Sequence, residues 1–428
     1  MRTFGLDVHK RFAEVAVIED GEIRRVGRIE NGELEAFART LGPHDSVVLE
    51  STALTWPIAE LLGRFAGKVT VSNPMRTKAI ASAKVKTDKV DARVLAQLGA
   101  ADFLPEVWAP DEVTRVLRRR IAHRQGLVRQ RTALRNQVHA ILDRNLIHAN
   151  WASDLFGRKG RRGLAEVELP DHERAALDCA LRLHDVLAEE IDRAERALAG
   201  EAFRREQVRR LMTIPGVGWV TALSIIAVIG DIERFPSSRQ LVGYFGLDPR
   251  VRQSGDRGAR IGHISRQGQA HARGLLVEAA HSAIRTPGPL RAFYLRLKDR
   301  RGSNIALVAT ARKLAVLCWH LLARAQEYRF QAPSLTASKH RALQLKADDQ
   351  GEPIARSNHP RRDELERRVL EQAEVNYREL VASRTSGAGG SHGTRLKGHP
   401  RGVNDARQAQ PSRAPALLDE RRPRQPEA

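Results

Sequence analysis

Four carboxylates in the first quarter of the chain stand at spacings that chemistry can use. Asp7 lies in Gly5-Leu6-Asp7-Val8-His9-Lys10, Glu50 closes the apolar run Val47-Val48-Leu49-Glu50, and Asp88 and Asp91 belong to Lys86-Thr87-Asp88-Lys89-Val90-Asp91-Ala92. On a helix, the three-residue step between Asp88 and Asp91 puts both on one face. Clustered acidic groups in a basic chain are costly unless a cation compensates them. Hard oxygen ligands of this kind suit Mg2+ or Mn2+. Two such ions would stabilise the attacking and leaving oxygens of an in-line displacement at phosphorus. Taken singly, Asp7 also reads as a turn residue and Asp88 as a first-turn charge that complements a helix dipole. The set, in this order, favours the metal reading.

The elements around these residues decide whether they can meet. Residues 3–8, 13–18 and 23–29 read as three strands, with Asp20-Gly21 as a hairpin turn between the last two. A short helix at 34–41, a buried strand at 46–50, a helix near 57–65 and a strand at 68–72 follow, and Asn73-Pro74 reads as a turn. Three antiparallel strands followed by alternating helices and strands is the order of a ribonuclease H-like α/β domain, assigned to residues 1–110. Asp7 and Glu50 would then close neighbouring strands, and Asp88 and Asp91 would open a helix continuing through Val94, Leu95 and Leu98.

Residues 111–212 read as a long-helix region. Apolar residues from Val113 to Ile141 recur at three-to-four spacing, and a second long helix is expected over 173–212. Residues 151–170, rich in Gly, Arg and Asp, read as the connecting loop, and the pair suits a coiled coil or a plain helical hairpin. The first of these helices carries Arg115, Arg118, Arg119, Arg120, Arg124, Arg129, Arg131 and Arg135 with little acidic compensation. Among them Arg118, Arg119, Arg124 and Arg131 are the expected backbone contacts to duplex DNA or structured RNA. A mostly helical region over 213–330 comes next. Residues 331–428 read as a mostly disordered basic tail with one helix at 363–381.

Charge narrows the class. The 428 residues hold 72 Lys+Arg against 51 Asp+Glu, a formal charge of +21, which points to a polyanionic partner. Two cysteines, Cys179 and Cys318, are too few for a disulfide framework or a cysteine-ligated zinc site. The first residues enter a strand directly, so no secretory leader is expected, and no unbroken apolar run of about 18 residues occurs. A cytoplasmic, nucleoid-associated protein without membrane contact is the expectation. Aromatics, at 5%, do not interleave with the basic runs, which argues against a base-stacking platform.

Two further segments carry candidate chemistry. Ile214-Pro215-Gly216-Val217-Gly218-Trp219 resembles the hairpin of helix-hairpin-helix DNA binders, with Gly216 and Gly218 letting backbone N–H groups approach a phosphate; a Gly-capped turn explains the same residues almost as well. In Arg250-Val251-Arg252-Gln253-Ser254-Gly255-Asp256-Arg257-Gly258, arginines such as Arg252 and Arg257 suit phosphate contact. Ser254 there is either a nucleophile awaiting activation or an ordinary loop serine. Ser265 precedes an apolar helix, and N-capping is its simplest role.

The whole pattern resembles the DEDD transposases of the insertion-sequence 110 type, including the related Piv/MooV DNA invertases. The N-terminal part of the resemblance runs from Gly5-Leu6-Asp7-Val8-His9-Lys10 through Glu50-Ser51-Thr52 and Val71-Ser72-Asn73-Pro74 to Asp88-Lys89-Val90-Asp91-Ala92-Arg93. The C-terminal part runs through Ile214-Pro215-Gly216-Val217-Gly218, Gly243-Tyr244-Phe245-Gly246-Leu247-Asp248-Pro249, Gln253-Ser254-Gly255 and Ile264-Ser265-Arg266-Gln267-Gly268. It departs at Ala53, where a glycine is usual, and does not extend into the tail. The resemblance implies a RuvC-like N-terminal domain whose tetrad is Asp7, Glu50, Asp88 and Asp91, with Mg2+ or Mn2+ as cofactor. It also implies a C-terminal transposase domain in which Ser254 forms a covalent phosphoserine link to DNA, the two parts completing a composite site across subunits of a homodimer or homotetramer. Element ends and target DNA would be the substrates, and some members use a structured guide RNA. Two rivals are a RuvC-like, structure-selective endonuclease of the junction-resolvase kind and a non-catalytic nucleic-acid-binding protein.

Overall fold

A computed structural model describes residues 1–81, 87–253, 255, 258–347 and 360–387. Residues 1–375 form one unit; residues 376–428 form a second, of which the end of one helix is described.

The chain begins with β1 (Thr3–Val8), β2 (Phe12–Glu19) and β3 (Glu22–Glu30), paired antiparallel. Asp20 and Gly21 both take positive φ between β2 and β3, the geometry that an Asp-Gly hairpin requires. After α1 (Leu34–Ala38) come β4 (Ser46–Glu50), α2 (Thr55–Leu62), β5 (Lys68–Ser72), α3 (Pro74–Ile80) and α4 (Asp88–Ala100). The sheet order is β3-β2-β1-β4-β5, with β4 parallel to β1 and β5 parallel to β4. This mixed sheet fits the ribonuclease H-like expectation.

Alternation along the strands divides the sheet into two faces. Phe4, Leu6 and Val8 of β1, Val15 and Val17 of β2, and Val47 and Leu49 of β4 pack with Leu34, Phe37, Ile58 and Leu62 into one apolar core. The opposite face of β1 carries Thr3, Gly5 and Asp7, and α4 lies on it. A Cβ at Gly5 would stand 2.2 Å from the Ala92 carbonyl oxygen and 2.4 Å from the Ala96 nitrogen, and one at Gly99 would stand 2.6 Å from Val48 Cγ2. Small residues at 92, 96 and 99 on the helix and glycine on the strand therefore set how closely α4 approaches.

Two long helices follow, α5 (Glu112–Arg144) and α7 (Asp171–Arg204), with α6 (Arg158–Glu166) between them. Arg120–Glu201, Arg124–Glu195 and Arg144–Glu173 ion pairs step in opposite directions along α5 and α7, so the two form an antiparallel hairpin within the chain, about 50 Å long. Val138, Ile141, Leu142, Leu164, Leu177 and Ala180 make a separate small core at its tip. The expected loop over 151–170 thus contains a helix. Its glycines serve packing: a Cβ at Gly160 would sit 2.3 Å from the Asp154 carbonyl oxygen, and one at Gly163 would meet the Trp151 ring. The expected helix over 173–212 is broken at Arg205, which is extended, and resumes as α8 (Glu206–Met212).

The C-terminal core gathers α9 (Trp219–Ile229), α10 (Ser238–Tyr244), α11 (Ala270–Ala283), α12 (Pro289–Arg301) and α13 (Ser303–Ala323) around the base of the α5–α7 hairpin. An antiparallel pair of strands, β6 (Pro249–Arg252) and β7 (Arg260–Ile264), interrupts the helices. By length and composition α13 is apolar enough to cross a membrane, the one such helix among the described residues, although no unbroken apolar run marks it. Ala306, Leu307, Ala311, Leu314, Ala315, Cys318 and Leu321 bury it in this core. Beyond residue 331, where one helix was expected, the described residues hold two: α14 (Pro333–Lys346) and α15 (Pro360–Gly387). Leu343 of α14 is fully buried and Lys339 reaches into the core, contacts that composition alone does not reveal.

Candidate metal and nucleic-acid site

Asp7 is the next-to-last residue of β1, and Glu50 is the last of β4; both follow the paired residues Leu6 and Leu49 and share the face covered by α4. Thr87 caps α4, its side chain accepting from the Val90 backbone N–H, and this start places Asp88 and Asp91 in the first turn. With Gly5 admitting α4 to the sheet, Asp88 comes to the end of β1. One ligand atom each from Asp7, His9 and Asp88 lies within 4.8 Å of the others. Asp91 stands one turn along α4, and Glu50 stands on the neighbouring strand end; neither belongs to that tight group.

Burial pushes the Asp7 carboxyl above the usual carboxylate range. His9 opposes the shift, and the negative charges of Asp91 and Asp88 add to it. Across the sheet from Asp7, Glu14 is buried too, but Arg25 and Arg28 at 3.0 and 3.4 Å outweigh burial and hold its carboxyl below the usual range. Glu14 is thus neutralised by its own partners, whereas burial keeps the Asp7 carboxyl raised although His9 opposes it. Two carboxylates and an imidazole gathered at a half-buried strand end fit a divalent cation.

His9 is the residue that sequence reasoning left out. Its signal is the Asp-x-His spacing at the end of a strand, which carries both side chains to the same side.

The arginines of α5 divide. Arg118 donates to the carbonyls of Ala227 and Val228 at 2.7 and 2.8 Å and sits over the Trp108 ring, so it caps the end of α9. Arg124 is held by Glu195 at 2.6 Å. These two, expected to contact nucleic acid, are instead committed within the chain. Arg119 is exposed, and Arg131 is half-buried, its Nε without a partner among the described residues.

The turn at 214–218 is also used internally. Gly216 has φ +82°, and a Cβ there would lie 2.2 Å from the Ala279 carbonyl oxygen of α11. Lys339 Nζ donates to the carbonyls of Met212, Ile214 and Val217 at 2.6, 2.9 and 3.1 Å. Gly216 is therefore a packing glycine, while Gly218, at the N-cap of α9, has open space where a side chain would stand.

The β6–β7 hairpin was expected only as a loop. Ser265 Oγ donates to Asp248 Oδ1 at 2.6 Å, the Ser265 backbone N–H donates to the Asp248 carbonyl at 2.7 Å, and Arg250 donates to the Ser265 carbonyl at 3.0 Å. Ser265 thus clamps the base of the hairpin instead of capping α11, whose N-cap is Gln269. From this base project exposed Arg250, Val251, Arg252, Arg260 and Ile261. Ser254 and Arg257, which fall between the two strands in sequence, lie outside the described residues.

Comparison with known proteins agrees with this geometry. Residues 4–146 match a family model described as a transposase, the DEDD type of IS110, and residues 208–295 match the transposase IS116/IS110/IS902 family. The transposase for insertion sequence element IS1111A of Coxiella burnetii is 32% identical over 250 residues, covering 57% of this chain and 68% of that protein. The transposase for insertion sequence element IS1328 of Yersinia enterocolitica is 28% identical over 310 residues, 69% of this chain and 88% of the relative. The pilin gene-inverting protein of Moraxella lacunata is 27% identical over 295 residues, 64% and 79% respectively.

Proposed function

The chain belongs to the IS116/IS110/IS902 family of transposases, enzymes that recombine DNA, and from that premise we propose that it cuts and rejoins DNA at the ends of an insertion sequence through a metal-dependent, serine-linked intermediate. The observation that carries the reading is the meeting of Asp7 and Asp88 at one end of the sheet, beside a third donor, with Glu50 on the neighbouring strand end and Asp91 one turn along the same helix.

In this reading Asp7, Glu50, Asp88 and Asp91 would hold the ion. A bound Mg2+ or Mn2+ would supply positive charge to the phosphate as charge develops on it. The Ser254 hydroxyl loses its proton as its oxygen forms the new bond to phosphorus, and a bridging DNA oxygen leaves as an alcohol. Attack by a DNA hydroxyl on the phosphoserine then returns the serine and joins new strands, so the bond energy is kept throughout. Arg252 and Arg257 flank the serine as phosphate contacts. Arg119, Arg131 and Gly218 extend a backbone-binding surface toward duplex DNA or a structured guide RNA. Exchange of strands between two duplexes calls for a homodimer or homotetramer, and for work beside the nucleoid in the cytoplasm.

Strand transfer between DNA carrying the element ends and a target tests the proposal. Ser254→Ala is expected to lose transfer, and Asp7→Ala or removal of divalent metal to lose both cleavage and transfer. Persistent cleavage with lost transfer in Ser254→Ala would instead give the structure-selective endonuclease. Binding without cleavage under any condition would give a non-catalytic binding protein.

A further inference from the structure

His9 faces two carboxylates at once. Its Nε2 lies 3.1 Å from Asp7 Oδ2 and 3.4 Å from Asp88 Oδ2. A single ring nitrogen carries at most one hydrogen and cannot give a full hydrogen bond to both oxygens. The same spacing suits a different bonding pattern. Ligands at right angles around an octahedral ion, with bonds of about 2.1 Å, are separated by about 3 Å. Two of the three separations in this group are close to that value.

The ring is also held in place. The turn from β1 to β2 closes with the His9 backbone N–H donating to the Phe12 carbonyl at 2.8 Å. The His9 and Phe12 rings lie 4.8 Å apart with their planes tilted by 30°, and Arg28 covers the Phe12 ring at 3.7 Å. The His9 side chain, 37% exposed, borders solvent, so the group opens toward a substrate instead of being sealed in the core. A residue meant only to fill space at this turn would need neither the shared nitrogen nor the fixed ring.

We propose that His9 Nε2 is a direct metal ligand, completing with Asp7 and Asp88 a mixed nitrogen–oxygen site that prefers Mn2+ to Mg2+. Mg2+ is hard, keeps its waters and takes oxygen ligands, whereas imidazole nitrogen favours the divalent transition metals. The inference rests on the proposed metal site and adds to it the ligand that decides which ion is taken.

The 428-residue chain, titrated with MnCl2 alone, is examined by pulsed electron paramagnetic resonance for coupling between the metal and a directly bound nitrogen. Coupling is expected in the wild type and absent in both His9→Ala and His9→Asn, the second keeping a polar side chain at the turn. In competition with MgCl2, either variant is expected to weaken Mn2+ binding on the order of tenfold more than Mg2+ binding. Asp7-dependent Mn2+ binding without nitrogen coupling, or equal loss for the two ions, would overturn the proposal and leave His9 as a positioning residue with the metal site intact. Mn2+ binding that is absent, or indifferent to Asp7→Asn, would overturn the metal site itself along with this inference.

Discussion

Gly5 and Ala92 touch through their backbones: a Cβ on residue 5 would stand 2.2 Å from the Ala92 carbonyl oxygen. The contact sets the height of α4 above the sheet, and with it the distance from Asp88 to Asp7.

Gly5→Ala is therefore expected to push α4 outward and part the carboxylates. The cost in stability is about 1–3 kcal/mol, the range for overpacking a tight contact. Metal-dependent DNA cleavage should fall much further than stability does. Gly32→Ala, where a Cβ meets nothing within 4 Å, is the control and should change neither. Thermal denaturation beside a cleavage assay on both variants checks this.

Arg118 and Arg119 are neighbours with opposite expected phenotypes. Arg118→Ala removes the donor shared by the Ala227 and Val228 carbonyls, of which Val228 keeps only the long contact from the Tyr244 hydroxyl at 3.5 Å, and should cost about 2 kcal/mol of stability. Arg119→Ala should leave stability within about 0.5 kcal/mol. It should instead weaken DNA binding and reduce the slope of log affinity against log salt by about 1. Urea unfolding and salt-dependent binding separate the two.

Asp7 predicts a pH effect on the metal-free protein. Its folded-state pKa is raised, by burial first and by Asp91 and Asp88 in addition, so the folded state holds this proton more tightly than the unfolded chain does. The stabilising contribution is complete below the ordinary Asp value of about 4 and is lost as pH rises through the raised one. Asp7→Asn removes that loss. At neutral pH without metal the variant should melt higher than the wild type, and the difference should vanish in acid. A lower melting temperature for the variant at neutral pH would contradict the electrostatic picture.

Lys339 is expected to be structural. Burial pushes its pKa down to about 8, while three carbonyl acceptors favour the ammonium form. Lys339→Met removes this donor from all three carbonyls, of which only Ile214 keeps another among the described residues, the Val217 backbone N–H, and should cost about 3 kcal/mol, read from urea unfolding. An unchanged unfolding midpoint would show that the turn does not need the cation.

The sheet was legible in the sequence because its signals are local: an Asp-Gly turn, short apolar runs, and carboxylates at strand and helix ends. The approach of α4 was not, since Gly5, Ala92 and Ala96 acquire meaning only once helix and strand are stacked. The dense arginines of α5 read as a surface for nucleic acid because their partners, Glu195, Glu201 and the carbonyls of Ala227 and Val228, are roughly 70 to 110 residues away in sequence. The β6–β7 strands were hidden by their brevity, although Arg250-Val251-Arg252 alternates. Ser265 was read from its nearest helix, while its hydroxyl bonds to Asp248, 17 residues earlier. His9 was not legible because it meets Asp88 only once α4 is stacked on the sheet.

The proposed chemistry requires that the carboxylates at the strand and helix ends hold a divalent ion and that Ser254 act on the same phosphate. Its most direct measurement is a denaturing gel of the protein incubated with labelled element-end DNA, followed by peptide mass spectrometry of any linked nucleotide. A covalent adduct on Ser254 that requires divalent metal and disappears in Asp7→Asn is expected. Strand exchange undiminished in Asp7→Asn, or proceeding in chelator with no adduct on Ser254, would contradict it.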